Sequence, residues 1–90
     1  MPAPEPHIDL DSLDFTKIEA DADGVRKVIP HRHEMEMLSA ILFTCRDRQL
    51  IVGYKDVEPE PFWGRGHFPG LPLMPGVLQC ESAAQLTAYY

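Results

Sequence analysis

The sequence predicts an α+β chain in which an antiparallel hairpin and a shaped loop lead into a long helix made for burial, and three observations carry this. Residues 37–45 and 50–57 are strand-like and flank the polar run Arg46-Asp47-Arg48-Gln49, so they are expected to pair antiparallel through a turn. Residues 58–75 hold five prolines, with glycines at 64, 66 and 70, a composition that excludes regular structure. Beyond it, Val77, Leu78, Cys80, Ala83, Ala84, Leu86, Thr87 and Ala88 are apolar or small on nearly every side of a helix over 75–90, and Pro75 suits its first turn. One hairpin cannot cover all faces of such a helix. The sheet is therefore expected to be incomplete at the C-terminal end, where Tyr89-Tyr90 carry no stop signal, and the chain reads as the N-terminal part, or a fragment, of a larger domain.

Residues 1–20 form an acidic, proline-containing lead-in, with Ile8, Leu10, Leu13, Phe15 and Ile18 as candidate packing points. Residues 21–90 form the body. A short helix is expected over 21–29, capped by Asp21 or Asp23 and stopped by Pro30, with Val25, Val28 and Ile29 as its apolar face. In the second strand Ile51, Gly53, Lys55 and Val57 alternate with Leu50, Val52, Tyr54 and Asp56.

Ninety residues suffice for one small domain. Residues 1–23 carry seven acids against Lys17 alone, which accounts for the whole net charge of −6 and leaves the remainder neutral. That balance argues against nucleic acid, whose binders present a basic face. An acidic protein partner would have to find a local cluster such as Arg26, Lys27 and Arg32. No apolar run approaches the ~20 residues of a membrane span, and the start Met1-Pro2-Ala3-Pro4-Glu5-Pro6 lacks the charged and apolar stretches of a secretory signal, so a cytoplasmic protein is expected. Cys45 and Cys80 show neither metal-ligand nor redox spacing and are expected to be buried thiols.

The chemistry concentrates in Gly66-His67-Phe68-Pro69-Gly70-Leu71-Pro72-Leu73-Met74-Pro75-Gly76-Val77-Leu78, followed by Glu81 and Gln85. A histidine locked between glycine and proline turns has the backbone constraint that a general base needs, although a turn histidine bonded to a nearby carbonyl has the same look. Glu81 is the odd residue on an apolar helix, either an acid or a side chain reaching the surface, and Gln85 at i+4 shares its face and is placed to orient it. Gly76 offers a backbone N–H at a helix N-terminus, where the partial positive charge suits an oxyanion. His31 and His33 make an H-x-H pair, but no third ligand lies nearby in sequence, so no metal is expected.

Together, Gly66-His67-Phe68-Pro69-Gly70, Met74-Pro75-Gly76-Val77-Leu78, Glu81 and Ala84-Gln85, with Ile29-Pro30-His31-Arg32 upstream, resemble the signature of the 3-hydroxyacyl-[acyl-carrier-protein] dehydratases of fatty acid synthesis, a FabZ/FabA-like hot-dog family. The resemblance covers roughly residues 25–90. It implies a strongly curved antiparallel sheet around a central helix, and a homodimer or dimer-based oligomer in which His67 of one chain faces Glu81 of the other. It also implies a tether from the Leu73 carbonyl to the His67 ring and a thioester oxygen held by the Gly76 N–H. The substrate would be an acyl thioester on the phosphopantetheine arm of an acyl carrier protein, with no metal or redox cofactor. The sequence departs from the family pattern at His33-Glu34-Met35, where an aromatic-proline-aromatic run is usual, at Ser39, where an aspartate is usual, and at Phe62-Trp63-Gly64-Arg65-Gly66, which is one residue longer. These departures bear on substrate gating and chain length. Glu81 favours plain dehydration, since members that also isomerise the double bond carry aspartate at the acid position. A hot-dog thioesterase and a non-catalytic acyl- or carrier-binding module stand as alternatives.

Overall fold

The computed structural model describes residue 5 and residues 8–90. The proline-led opening expected to lack a signal, residues 1–4 and 6–7, otherwise lies outside the described residues. The lead-in forms a 3₁₀ turn at Leu10–Ser12, in which the Asp9 side chain accepts the Asp11 N–H at 3.1 Å. Of the candidate packing points, Leu10, Phe15 and Ile18 are exposed and Ile8 and Leu13 partly covered, and Phe15 meets Tyr54 edge-on with ring centroids 5.1 Å apart.

Helix α1 spans Ala22–Arg26, and the Asp21 carboxylate caps it by accepting the Gly24 N–H at 2.9 Å. It is shorter than expected. Val28 and Ile29 fold back instead, both donating N–H to the Val25 carbonyl, before Pro30 prevents continuation. Val25 and Ile29 thereby turn inward, whereas Val28 is 54% exposed and does not belong to the apolar face expected of it.

Strand β1, Ala40–Cys45, pairs antiparallel with β2, Leu50–Tyr54, from Ala40 opposite Tyr54 to Cys45 opposite Leu50. Both strands are shorter than the sequence suggested. Met37 and Leu38 are buried but stand outside the ladder, because the Met37 N–H is taken by the Gln85 side chain. The register shifts between Ile41 and Phe43, making Leu42 an extra residue on β1. Such a bulge bends a strand, and it explains why Ala40, Ile41 and Leu42 are buried consecutively where a flat strand would alternate. β2 shows no alternation either: all five residues are half-buried, and Val57 lies beyond its end, exposed. The turn closes with the Gln49 N–H on the Arg46 carbonyl at 3.0 Å, Gln49 adopting a φ of 50°. On the other edge of β1, Ile41 exchanges backbone hydrogen bonds with Ala20.

Helix α2 spans Gly76–Tyr89, with Pro75 at the N-cap, one position before its expected place in the first turn. Leu78, Glu81, Ser82, Gln85, Leu86 and Tyr89 form its covered stripe, whereas Val77, Cys80, Ala84, Thr87 and Ala88 remain exposed. The expectation of burial on every side holds for one stripe only in this chain. Cys80 lies on the open face and Cys45 is half-buried, both free, which corrects the expectation of two buried thiols.

The core gathers Val25, Ile29, Leu38 and Ile41, flanked by Ala20, Ile51, Leu86 and Tyr89. Complete burial of a side chain such as Ile41 or Met37 stabilises the fold by about 2 kcal/mol. Where α2 crosses β2, Gly53 is required: a Cβ there would stand 2.8 Å from both the Ala40 carbonyl oxygen and Leu86 Cδ2. No helix among the described residues is long and apolar enough to cross a membrane.

Candidate active site

The loop before α2 is ordered by its backbone. Trp63 is buried, and its carbonyl accepts the N–H groups of Gly66 at 3.2 Å and His67 at 2.8 Å. Phe68 and Leu71 exchange backbone bonds at 2.7 and 2.8 Å across a turn containing Gly70, whose φ of 74° suits glycine. The Leu73 N–H then returns to the His67 carbonyl at 2.7 Å.

The His67 ring is fixed by the same residue, Nδ1 lying 2.9 Å from the Leu73 carbonyl oxygen. A carbonyl only accepts, so Nδ1 carries the hydrogen of this bond and the neutral ring keeps its lone pair on Nε2. The Phe68 ring stacks against the imidazole with centroids 4.1 Å apart. Gly76, the first residue of α2, makes no hydrogen bond through its N–H among the described residues.

Glu81 belongs to a second group of side chains. Its Oε1 accepts from Gln85 Nε2 at 3.1 Å and lies 3.3 Å from His31 Nε2. Gln85, 1% exposed, also donates Nε2–H to the Met35 carbonyl at 2.7 Å and accepts the Met37 N–H on Oε1 at 3.1 Å. Its two backbone partners admit one orientation of the amide, so the group facing Glu81 is a donor. Of the apolar neighbours of Glu81 along α2, Val77, Cys80 and Ala84 lie on the exposed face and Leu78 is partly covered, and the carboxyl itself meets a histidine and an amide.

His67 and Glu81 thus occupy separate networks, and no hydrogen bond or ion pair joins them among the described residues. Their offset agrees with the geometry of α2, on which Glu81 stands five residues past Gly76, about 7.5 Å along the axis. His31, read from the sequence as half of an H-x-H pair and as part of an upstream motif, stands at Glu81. The motif Ile29-Pro30-His31-Arg32 was the available signal, but no local periodicity links residue 31 to residue 81.

The basic cluster is largely committed. Arg26 pairs with Asp23 and Glu36, its hydrogen bond to Glu36 holding that carboxyl below the usual range, and Arg32 donates to the carbonyls of Ile29, His31 and Arg26. Among the described residues no three histidine, cysteine or acidic side chains stand together in a way that could hold a metal.

Comparison with known proteins agrees with the motifs. The family model described as a FabA-like domain matches residues 29–90. The chain is 41% identical over 79 residues to the 3-hydroxyacyl-[acyl-carrier-protein] dehydratase FabZ of Francisella philomiragia, covering 88% of this chain and 48% of that protein. It is 40% identical over 70 residues to the FabZ of Francisella tularensis subsp. novicida, covering 78% of this chain and 43% of that protein. The chain spans about half the length of the curated relatives it matches. An antiparallel hairpin against one stripe of a long helix is an incomplete hot-dog arrangement of α+β class. By its match over residues 29–90, the chain belongs to the FabA-like domain family.

Proposed function

We propose that the protein to which this segment belongs removes water from a 3-hydroxyacyl thioester on an acyl carrier protein, giving the trans-2-enoyl thioester in fatty acid biosynthesis. His67 Nε2 takes the α-proton. The Gly76 N–H binds the thioester oxygen as charge develops there. Glu81, protonated, delivers its proton to the departing hydroxyl, which leaves as water; between turnovers His67 gives up the α-proton and Glu81 takes a proton back, through solvent, so that both groups return to their starting states. No metal or redox cofactor enters these steps. Leu73 and Gln85 position the base and the acid. The setting is cytoplasmic and the assembly a homodimer, His67 of one protomer serving the site of Glu81 of its partner, in keeping with the two separate networks within one chain.

The observation that carries this reading is the tether of His67 Nδ1 to Leu73, which leaves Nε2 as the ring's basic atom on a loop held by backbone bonds. In the complete protein, His67→Ala is expected to lower hydration of a crotonyl thioester about 10²- to 10⁴-fold while the circular dichroism spectrum is unchanged. Turnover near that of the unsubstituted protein would overturn the assignment.

A further inference from the structure

Glu81 has two carboxyl oxygens, and the surrounding structure treats them differently. Oε1 faces Gln85 Nε2, whose donor character is fixed by the Met35 carbonyl and the Met37 N–H. It also faces His31 Nε2 at 3.3 Å. His31 Nδ1 is buried and has no hydrogen-bond partner. An N–H at that position would be a buried donor without an acceptor, costing about 1–3 kcal/mol, and would leave the lone pair of Nε2 facing a carboxyl oxygen of Glu81. The neutral imidazole therefore carries its hydrogen on Nε2, the ring nitrogen that stands 3.3 Å from Glu81 Oε1. Of the other charged groups near His31, Arg26 from α1 and Glu36 from the segment before β1 are paired with each other, and Arg32 is turned to backbone carbonyls, that of His31 among them.

We propose that His31 is a positioning residue for Glu81: by donating Nε2–H to Oε1, it commits that oxygen as an acceptor and leaves Oε2 to carry the proton that is delivered. The inference rests on the dehydratase reading above, and adds to it a choice of oxygen and the residue that makes the choice. With both donors on Oε1, the O–H of Glu81 has one place to reside. Without His31, Oε1 keeps a single donor, the carboxyl gains freedom to rotate, and the proton is distributed over both oxygens.

The test uses the complete protein with a crotonyl thioester. His31→Phe keeps the ring volume and removes the donor; it is expected to lower kcat about ten-fold with KM changed by less than about two-fold. His31→Gln, whose amide N–H reaches to a similar depth, is expected to restore most of the loss. In a Glu81→Gln background the His31→Phe substitution should have little further effect, because the proton it positions is gone. Unchanged kcat in His31→Phe, or equal losses in the Phe and Gln variants, overturns the role of His31 even when Glu81→Gln abolishes turnover. Full turnover in Glu81→Gln instead overturns the acid assignment itself. Independently of any variant's folding, ¹⁵N spectra of the unsubstituted protein are expected to show the hydrogen of the neutral His31 ring on Nε2, and a hydrogen on Nδ1 would overturn the proposal.

Discussion

The loop that holds His67 and the network that holds Glu81 are built in opposite ways. The loop is mostly exposed and is ordered by backbone bonds between residues at most six apart, from Trp63 to Leu73, with Trp63 as its buried anchor. The Glu81 network is carried by side chains, and Gln85 reaches back 48 and 50 residues to Met37 and Met35. A base whose position is written into turns tolerates change in nearby side chains. An acid whose position depends on a buried amide does not.

That contrast is broken most severely at Gln85. Gln85→Leu leaves the Met37 N–H and the Met35 carbonyl without their partner, and is expected to destabilise the protein by about 3 kcal/mol, read as a lower urea midpoint, while His67 keeps its Leu73 tether. Gly53→Ala acts on the packing behind the same network. Its Cβ meets the Ala40 carbonyl oxygen and Leu86, and a cost of about 2 kcal/mol is expected, with the helix displaced from β2.

Smaller effects come from the surface pair beside the network. Arg26 lowers the Glu36 carboxyl below its usual 4.5, so the stability this gives is present above that pH and is lost as pH falls through the lowered value. Glu36→Gln should therefore flatten the stability profile below pH 4.5, losing the pair's small contribution at neutral pH and converging on the unsubstituted protein in acid, as thermal melts across that range will show. The smallest effect is expected in the loop. Leu73 is 49% exposed and serves His67 through its carbonyl, so Leu73→Ala should shift stability by less than about 0.5 kcal/mol and leave the ¹⁵N signature of His67 in place.

The same contrast explains what was legible in the sequence. Proline and glycine spacing identified the loop around His67, because turn chemistry acts over a few residues. The hairpin and α2 were legible from hydrophobic pattern and the polar run between the strands. The Leu42 bulge was not, since a ladder shift leaves no mark on a run of apolar residues, and consecutive burial of Ala40, Ile41 and Leu42 resembles an ordinary core strand. Nor was the inward stripe of α2, because apolar and small residues surround the helix and give no face a preference. Of the groups around Glu81, the Gln85 amide was legible from its i+4 spacing and is found there, whereas His31, fifty residues away in sequence, was not.

The bridge between Ala20 and Ile41 has a directional consequence for the sheet. Ile41 turns its backbone N–H and carbonyl toward Glu19 and Ala20, so the outer edge of β1 is stoppered at its centre by the acidic lead-in. The Glu19 carboxylate secures the stopper by accepting from Thr44 and Tyr89 at 3.1 Å each, and burial together with Glu19 holds the Tyr89 phenol above its ordinary value. An unpaired strand edge recruits further strands, and a blocked one does not. Among the described residues β2 has the open flank, which makes growth of this sheet one-sided, away from the lead-in.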